Sequence, residues 1–431
     1  MKRPAQFVLI LAFSYFASCK KSTPDLSIAD PVKKSYAVDS LALSKADYRD
    51  RVLGALVGSA IGDAMGASTE MWYRGDIQLK YGYITGLTPA VREQSPEGTW
   101  EHNLGPGATT DDTRWKYLMV AYFNKYGPGI SPEKFAAFIT DYYQSVAGQL
   151  KEKEILNNPD LLDKTIKKVD WIKEWARVTL SYQNGPAEYT RAMNRFYGGE
   201  MSCAGMLYSP MFGLVASGSE AAYEQAYEHG IFDLGYARDI SSLLAAMTRM
   251  ALQTSSMDSI LDTAVFVDPY RYQDSRLVGR ISLAIANDSR RTVRLSGELP
   301  VADTLAPAAK PPRGFPGTRT DWMRQDYVYS KLEKDQKAIP FHAGEIWEIV
   351  ITALEFGQGN FEKTMQFIVN YGRDNDTAGA VAGMILGARL GFNRLPEDLR
   401  TQVLNINKEQ MGIDLEALAS EMTGISGKAT Q

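Results

Sequence analysis

The sequence predicts an all-α globule built around two glycine-rich central helices. Three observations lead there. Helical periodicity begins near Asp47 and recurs almost to the end of the 431-residue chain. No succession of alternating strands separated by hairpin turns interrupts it, and two segments carry glycine at every fourth position. With 45% hydrophobic and 23% charged residues, the chain has ample material for a packed core and is no disordered protein.

Taken in order, spans 47–66, 111–126, 131–147, 160–180, 219–229, 234–252, 342–357, 360–371, 377–391 and 397–408 read as helices. In 360–371, for instance, Phe361, Met365, Phe367 and Ile368 supply the apolar positions. Asn360 is placed as an N-cap there, with Gly372 near the end. Tyr81, Tyr83 and Ile84, set between glycines, leave room for short strands in 76–90. Prolines 300, 307, 311, 312, 316 and 340 preclude a continuous helix through 288–340, although 280–287 and 322–334 keep a helical pattern. That span reads as a Pro-rich excursion inside one helical domain, 46–424, with a flexible tail at 425–431.

The first nineteen residues differ. Lys2 and Arg3 precede an apolar run from Phe7 to Phe16. The run is too short for the roughly 20 residues a membrane helix needs, but suits a signal peptide. Ala17-Ser18-Cys19 resembles a bacterial lipoprotein processing site, which would leave Cys19 as a lipidated N-terminus; an ordinary secretory signal is the competing reading. Residues 20–45, with Lys20, Lys21, Pro24 and Pro31, read as a flexible tether. The expectation is a lipid-anchored protein of the bacterial cell envelope, facing the periplasm, with the bilayer as a partner through its acyl anchor. Beyond Cys19 only Cys203 remains, so no internal disulfide is possible, and Cys203 reads as a small buried residue. Formal charge is -4 with no long basic run, which gives no case for nucleic-acid binding. A monomer is expected.

The glycine ladders come next. Gly54, Gly58, Gly62 and Gly66 form one, and Gly379, Gly383, Gly387 and Gly391 the other. Each glycine inside a helix costs about 1 kcal/mol relative to alanine. Spacing four places them on one stripe, so close approach of a second backbone is the simplest compensation. The two helices are therefore expected at the centre, packed on each other, with no chemical role needed for the glycines.

Acidic residues gather at two predicted helix starts. Thr109-Thr110-Asp111-Asp112-Thr113 precedes one helix, and Asp374-Asn375-Asp376-Thr377 precedes the second ladder. Capping explains one oxygen group in each place, but not four carboxylates and several hydroxyls. The readings open at this point are two unrelated capped helices, or one site assembled across the 262 positions between Asp112 and Asp374. A site of carboxylates and hydroxyls suits magnesium, manganese or calcium. Zinc is disfavoured, because the three histidines, 102, 229 and 342, show no ligand spacing and read as helix-end or surface residues. Carboxylates that converge require a cation.

Three motifs in this order resemble the ADP-ribosylglycohydrolase family: Gly62-Asp63-Ala64-Met65-Gly66 with Glu70 after it, Thr110-Asp111-Asp112-Thr113, and Asp374-Asn375-Asp376-Thr377-Ala378-Gly379-Ala380. The resemblance covers about residues 47–392. It implies an orthogonal all-α fold with two magnesium ions in a cleft, held by Thr110, Asp111 and Asp112 from the first half and Asp374, Asp376 and Thr377 from the second. It implies Glu70, Asp112 and Asp376 as catalytic carboxylates, with Glu70 at the substrate entrance, and Asp63 and Asn375 as supporting residues behind the metals. The implied reaction is hydrolysis at C1 of an ADP-linked or related ribose, on a small-molecule or protein-linked ribosyl substrate. Segment 198–206 departs from the family pattern, so contacts there are expected to differ, and Tyr208, Tyr236, Arg238 and Asp239 are candidates for the cleft wall. The rival reading is a non-catalytic envelope lipoprotein that binds glycans or nucleotide-sugar-like ligands. Convergence of Asp111, Asp112, Asp374 and Asp376 would favour the enzyme; scattered acids beside an aromatic groove would favour binding.

Overall fold

The computed structural model describes residues 43–90, 105–298 and 310–429. At its centre the Lys45–Gly66 helix lies antiparallel on the Asn375–Leu390 helix. Gly54 meets Gly387, Gly58 meets Gly383 and Gly62 meets Gly379. A methyl group built on Gly54 would fall 2.5 Å from the Gly387 carbonyl oxygen, and one on Gly379 would fall 2.5 Å from that of Gly62. Both neighbours are backbone and cannot move aside. Only glycine permits this approach, and backbone packing offsets the helix-propensity cost of each one. The antiparallel sense has a second effect. It sets the end of the first helix, with Gly66 and the turn to Glu70, against Asp374–Thr377 at the start of the other.

Around this pair the fold is almost wholly helical. The spans predicted at 111–126 and 219–229 are the helices Asp111–Tyr126 and Ser219–His229. The 160–180 span breaks in two, Pro159–Asp170 and Lys173–Gln183, because Trp171 and Ile172 between them turn inward and are buried. Trp171 stands edge-on to Trp115 at 5.7 Å, inside an aromatic cluster with Phe135, Trp175, Tyr208 and Phe232. Residues 74–80 are helical (Arg74–Lys80), where the sequence left strands open. Helices Pro186–Tyr197, Met257–Phe266 and Leu415–Ala429 were not predicted, and Ile281–Gly297 runs into the proline-rich span. The one sheet among the described residues is a two-residue pairing of Trp72–Tyr73 with Gly372–Arg373.

The envelope expectation is corrected. Among the described residues no helix is long and apolar enough to cross a membrane. Signal peptide, lipoprotein anchor, bilayer partner and periplasm-facing location are accordingly not carried forward. Cys19, the 1–19 segment and the tether up to residue 42 lie outside the described residues, as does His102.

Candidate metal centre

The site is built where the two ladder helices end and begin. Asp63, on the last turn of the first, is fully buried and spends both oxygens on the start of the Asp111–Tyr126 helix. Its Oδ1 accepts from the Thr110 amide at 2.9 Å, and its Oδ2 accepts from the Thr113 amide at 3.1 Å and hydroxyl at 2.6 Å. Burial, with the Asp112 charge beside it, pushes the Asp63 carboxyl up to about 7. Thr110 is the N-cap of that helix, its hydroxyl accepting from the Asp112 amide at 3.2 Å. Asp63 thereby holds in place the loop that carries Asp111 and Asp112.

Across the site, Asp374 stands at the N-cap position of the second ladder helix, its side chain making no capping bond, with Asp376 and Thr377 in the first turn. Glu70, Asp374 and Asp376 are all buried, and one oxygen from each lies within 4.8 Å of the others. The set could hold a metal ion, and the crowding argues for one. Burial, then the charges of Glu70 and Asp112, push the Asp374 carboxyl up to about 8, although hydrogen bonds with Asp376 and Cys203 pull it down. The donors are all oxygen, as a hard divalent cation requires. Sequence reasoning expected two ions; among the described residues one such cluster forms. Asp112 and Thr377 adjoin it, joined by a 3.0 Å hydrogen bond from the Thr377 hydroxyl to Asp112 Oδ2. Asn375 lies behind, its amide nitrogen donating to Thr69 Oγ1 at 2.8 Å and to the Val369 carbonyl.

A strained backbone clip brings Glu70 to Asp374. The residue after Glu70 and the residue before Asp374 both adopt left-handed conformations, Met71 with φ 65° and Arg373 with φ 64°. The Met71 amide donates to the Arg373 carbonyl at 2.7 Å, and the two-residue sheet continues from there. Non-glycine residues in this region cost on the order of 1–3 kcal/mol each and need outside support. For Arg373 that support is a buried ion pair with Glu345, at 2.5 and 3.1 Å, plus a bond to the Lys337 carbonyl.

The three acids open onto a cleft of about 560 Å³. Asp111 and Thr377 also line it, as do Ser202, Cys203 and Ala204 from the segment that departs from the family pattern. Cys203 is buried, as expected, and donates from Sγ to Asp374 Oδ2 at 3.2 Å; burial pushes its thiol well up. Trp171, Trp175, Phe196, Tyr197 and Phe341 make an aromatic wall, with Lys173 paired to Asp170 at the rim. None of these was singled out in the sequence, since aromatic residues at helical spacing look like core. The tyrosine candidates fall elsewhere. Tyr208 is fully buried and donates to the His229 carbonyl, while Asp239 is locked to Arg280. Lys116 was also missed: it is buried beside Asp112, and its spacing of four after that acid was the available signal.

A family model described as ADP-ribosylglycohydrolase matches residues 44–430. Over 383 residues the chain is 24% identical to the uncharacterized protein YegU of Escherichia coli (strain K12), covering 86% of this chain and 96% of that one. ADP-ribosyl-[dinitrogen reductase] glycohydrolase of Rhodospirillum rubrum is 41% identical over 70 residues, 16% of this chain and 21% of the relative. A solved structure described as an ADP-ribosylglycohydrolase-related protein complex aligns over 88% of this chain and 99% of its own, at 19% identity and a TM-score of 0.47.

Proposed function

Because the chain belongs to the ADP-ribosylglycohydrolase family and is a hydrolase of that type, we propose that it cleaves the glycosidic bond at C1 of an ADP-ribosyl or related ribosyl substrate with the help of magnesium. The observation that carries this reading is the convergence of Glu70, Asp374 and Asp376 on the floor of one cleft. Those three residues would hold the ion. When bound, a divalent cation orients sugar hydroxyls or water and offsets the charge of its ligands.

The chain's own side chains supply the rest. Cleavage at C1 develops positive charge on the sugar, and carboxylates fixed beforehand around that position stabilise it without rearrangement. Glu70 faces the cleft and is suited to take a proton from the attacking water. Asp376 acts as a ligand. Asp112 holds the Thr377 hydroxyl, and so the first turn of the second ladder helix, in register with the site. Asp63 and Asn375 act from behind by fixing the two loops. The aromatic wall of Trp171, Trp175 and Tyr197 excludes water from one side and offers flat apolar surface to the substrate.

The test is a substrate screen with magnesium and with chelator, using ADP-ribosyl arginine, ADP-ribosyl serine, O-acetyl-ADP-ribose and simple ribosides. The expected result is metal-dependent release of a ribose-containing product that Asp376→Ala abolishes. Turnover of no ribosyl compound by metal-loaded protein would refute the proposal.

A further inference from the structure

Lys116 sits on the Asp111–Tyr126 helix, one turn after Asp112, and is 2% exposed. Its Nζ donates to Asp112 Oδ1 at 3.2 Å. The other oxygen of Asp112 accepts from Thr377 at 3.0 Å. Both oxygens of this acid are thus engaged within the protein. Thr110, the neighbouring hydroxyl, is turned back to cap its own helix.

The family resemblance assigns Thr110, Asp111 and Asp112 from the first half to the two ions, but here Thr110 and Asp112 are engaged within the protein. A buried ammonium beside a buried carboxylate supplies compensating charge that a cation otherwise brings, and repels a second cation placed next to it. The acidic set that does converge, Glu70, Asp374 and Asp376, does not include Asp112.

We propose that this protein holds one divalent cation per chain, at Glu70, Asp374 and Asp376, and that the Lys116 ammonium stands where a second ion would otherwise bind Asp112. The inference rests on the metal-assisted reading above. An ammonium carried on the chain cannot be chelated or exchanged, so its share of the site's charge compensation is permanent, while the rest depends on the metal supply.

The experiment is the stoichiometry of manganese binding to the full chain, by calorimetric titration and native mass spectrometry. Wild type is expected to take one ion, with a single-site isotherm. Lys116→Met keeps a long unbranched side chain but frees Asp112, and its stoichiometry is expected to rise to two. Should that variant not fold, the double variant Lys116→Met with Asp112→Asn removes both charges and is expected to take one ion. Two ions in wild type, one in folded Lys116→Met, or two in the double variant would overturn the proposal while leaving the hydrolase reading intact. No manganese binding to wild type would instead overturn the metal-assisted reading itself.

Discussion

The Thr377 hydroxyl donates a 3.0 Å hydrogen bond to Asp112, a residue 265 positions earlier in the chain. Both side chains are buried, and each lies in the first turn of its own helix. The bond therefore joins two helix starts that the sequence separates by most of the domain. Thr377→Val keeps the shape and removes the donor, leaving one Asp112 oxygen unmet. A loss of about 1–3 kcal/mol in stability is expected by chemical denaturation, together with weaker metal binding.

The glycine ladder makes a sharper prediction because two glycines in helices should respond with opposite signs. Gly62→Ala drives a methyl into the Gly379 carbonyl, and the neighbour is backbone. The gain of about 1 kcal/mol in helix propensity is overwhelmed, and a loss of at least about 3 kcal/mol is expected. Gly75, in the Arg74–Lys80 helix, has nothing within 4 Å of the same added atom, so Gly75→Ala should stabilise by about 0.5–1 kcal/mol. Thermal unfolding of the two variants checks both signs.

These two ladders were legible in the sequence because glycine at Gly54, Gly58 and Gly62 is expensive inside a helix and demands a reason. The meeting of Asp112 with Asp374 was legible only through the motifs, since no local rule relates helix starts so far apart. Trp171 and Trp175 were not read as cleft wall, because burial in a core and exposure to a cleft leave the same spacing. The break at Trp171 was equally hidden: tertiary packing of that ring on Trp115 overrides a pattern that reads as one helix. Met71 and Arg373 carry no sequence signal at all, as neither residue type announces a left-handed backbone.

Those two residues share a φ angle but differ in their ties, so the same substitution should act differently on each. Met71→Gly relieves the left-handed strain at a partly exposed side chain, and stability should stay level or rise by about 1 kcal/mol. Arg373→Gly relieves the same strain but strands Glu345, a buried carboxylate, without its bidentate partner. There the expected outcome is a loss of about 3 kcal/mol or more. Equal effects in urea denaturation would show that the Glu345 pair contributes little.

Removing one acid from the cluster should separate stability from function. The Asp374 carboxyl is disfavoured in its ionised form by burial and by Glu70 and Asp112, so Asp374→Asn should leave metal-free protein at least as stable as wild type. The same change deletes a ligand. Metal affinity is expected to fall by about 100-fold, and the rise in Tm that magnesium gives wild type should vanish. Paired melting curves with magnesium and with chelator read both effects at once.

Acid sensitivity away from the cleft is expected from His229. It is fully buried; Nδ1 donates to the Gln225 carbonyl at 2.7 Å, and Nε2 accepts from the Tyr122 hydroxyl at 3.0 Å. That pairing uses the neutral ring, and burial lowers its pKa from 6.5 to about 4, with Glu133 the charged neighbour acting the other way. The unfolded chain binds a proton near pH 6.5 and the folded chain only near pH 4. Between those values the unfolded state carries more protons, so stability is full above pH 6.5 and falls as the pH drops through the window. The loss reaches about 3 kcal/mol at its lower end. His229→Gln keeps a donor and an acceptor but does not titrate. It should flatten this part of the stability–pH curve, while a slope unchanged in that variant would assign the acid sensitivity to other groups.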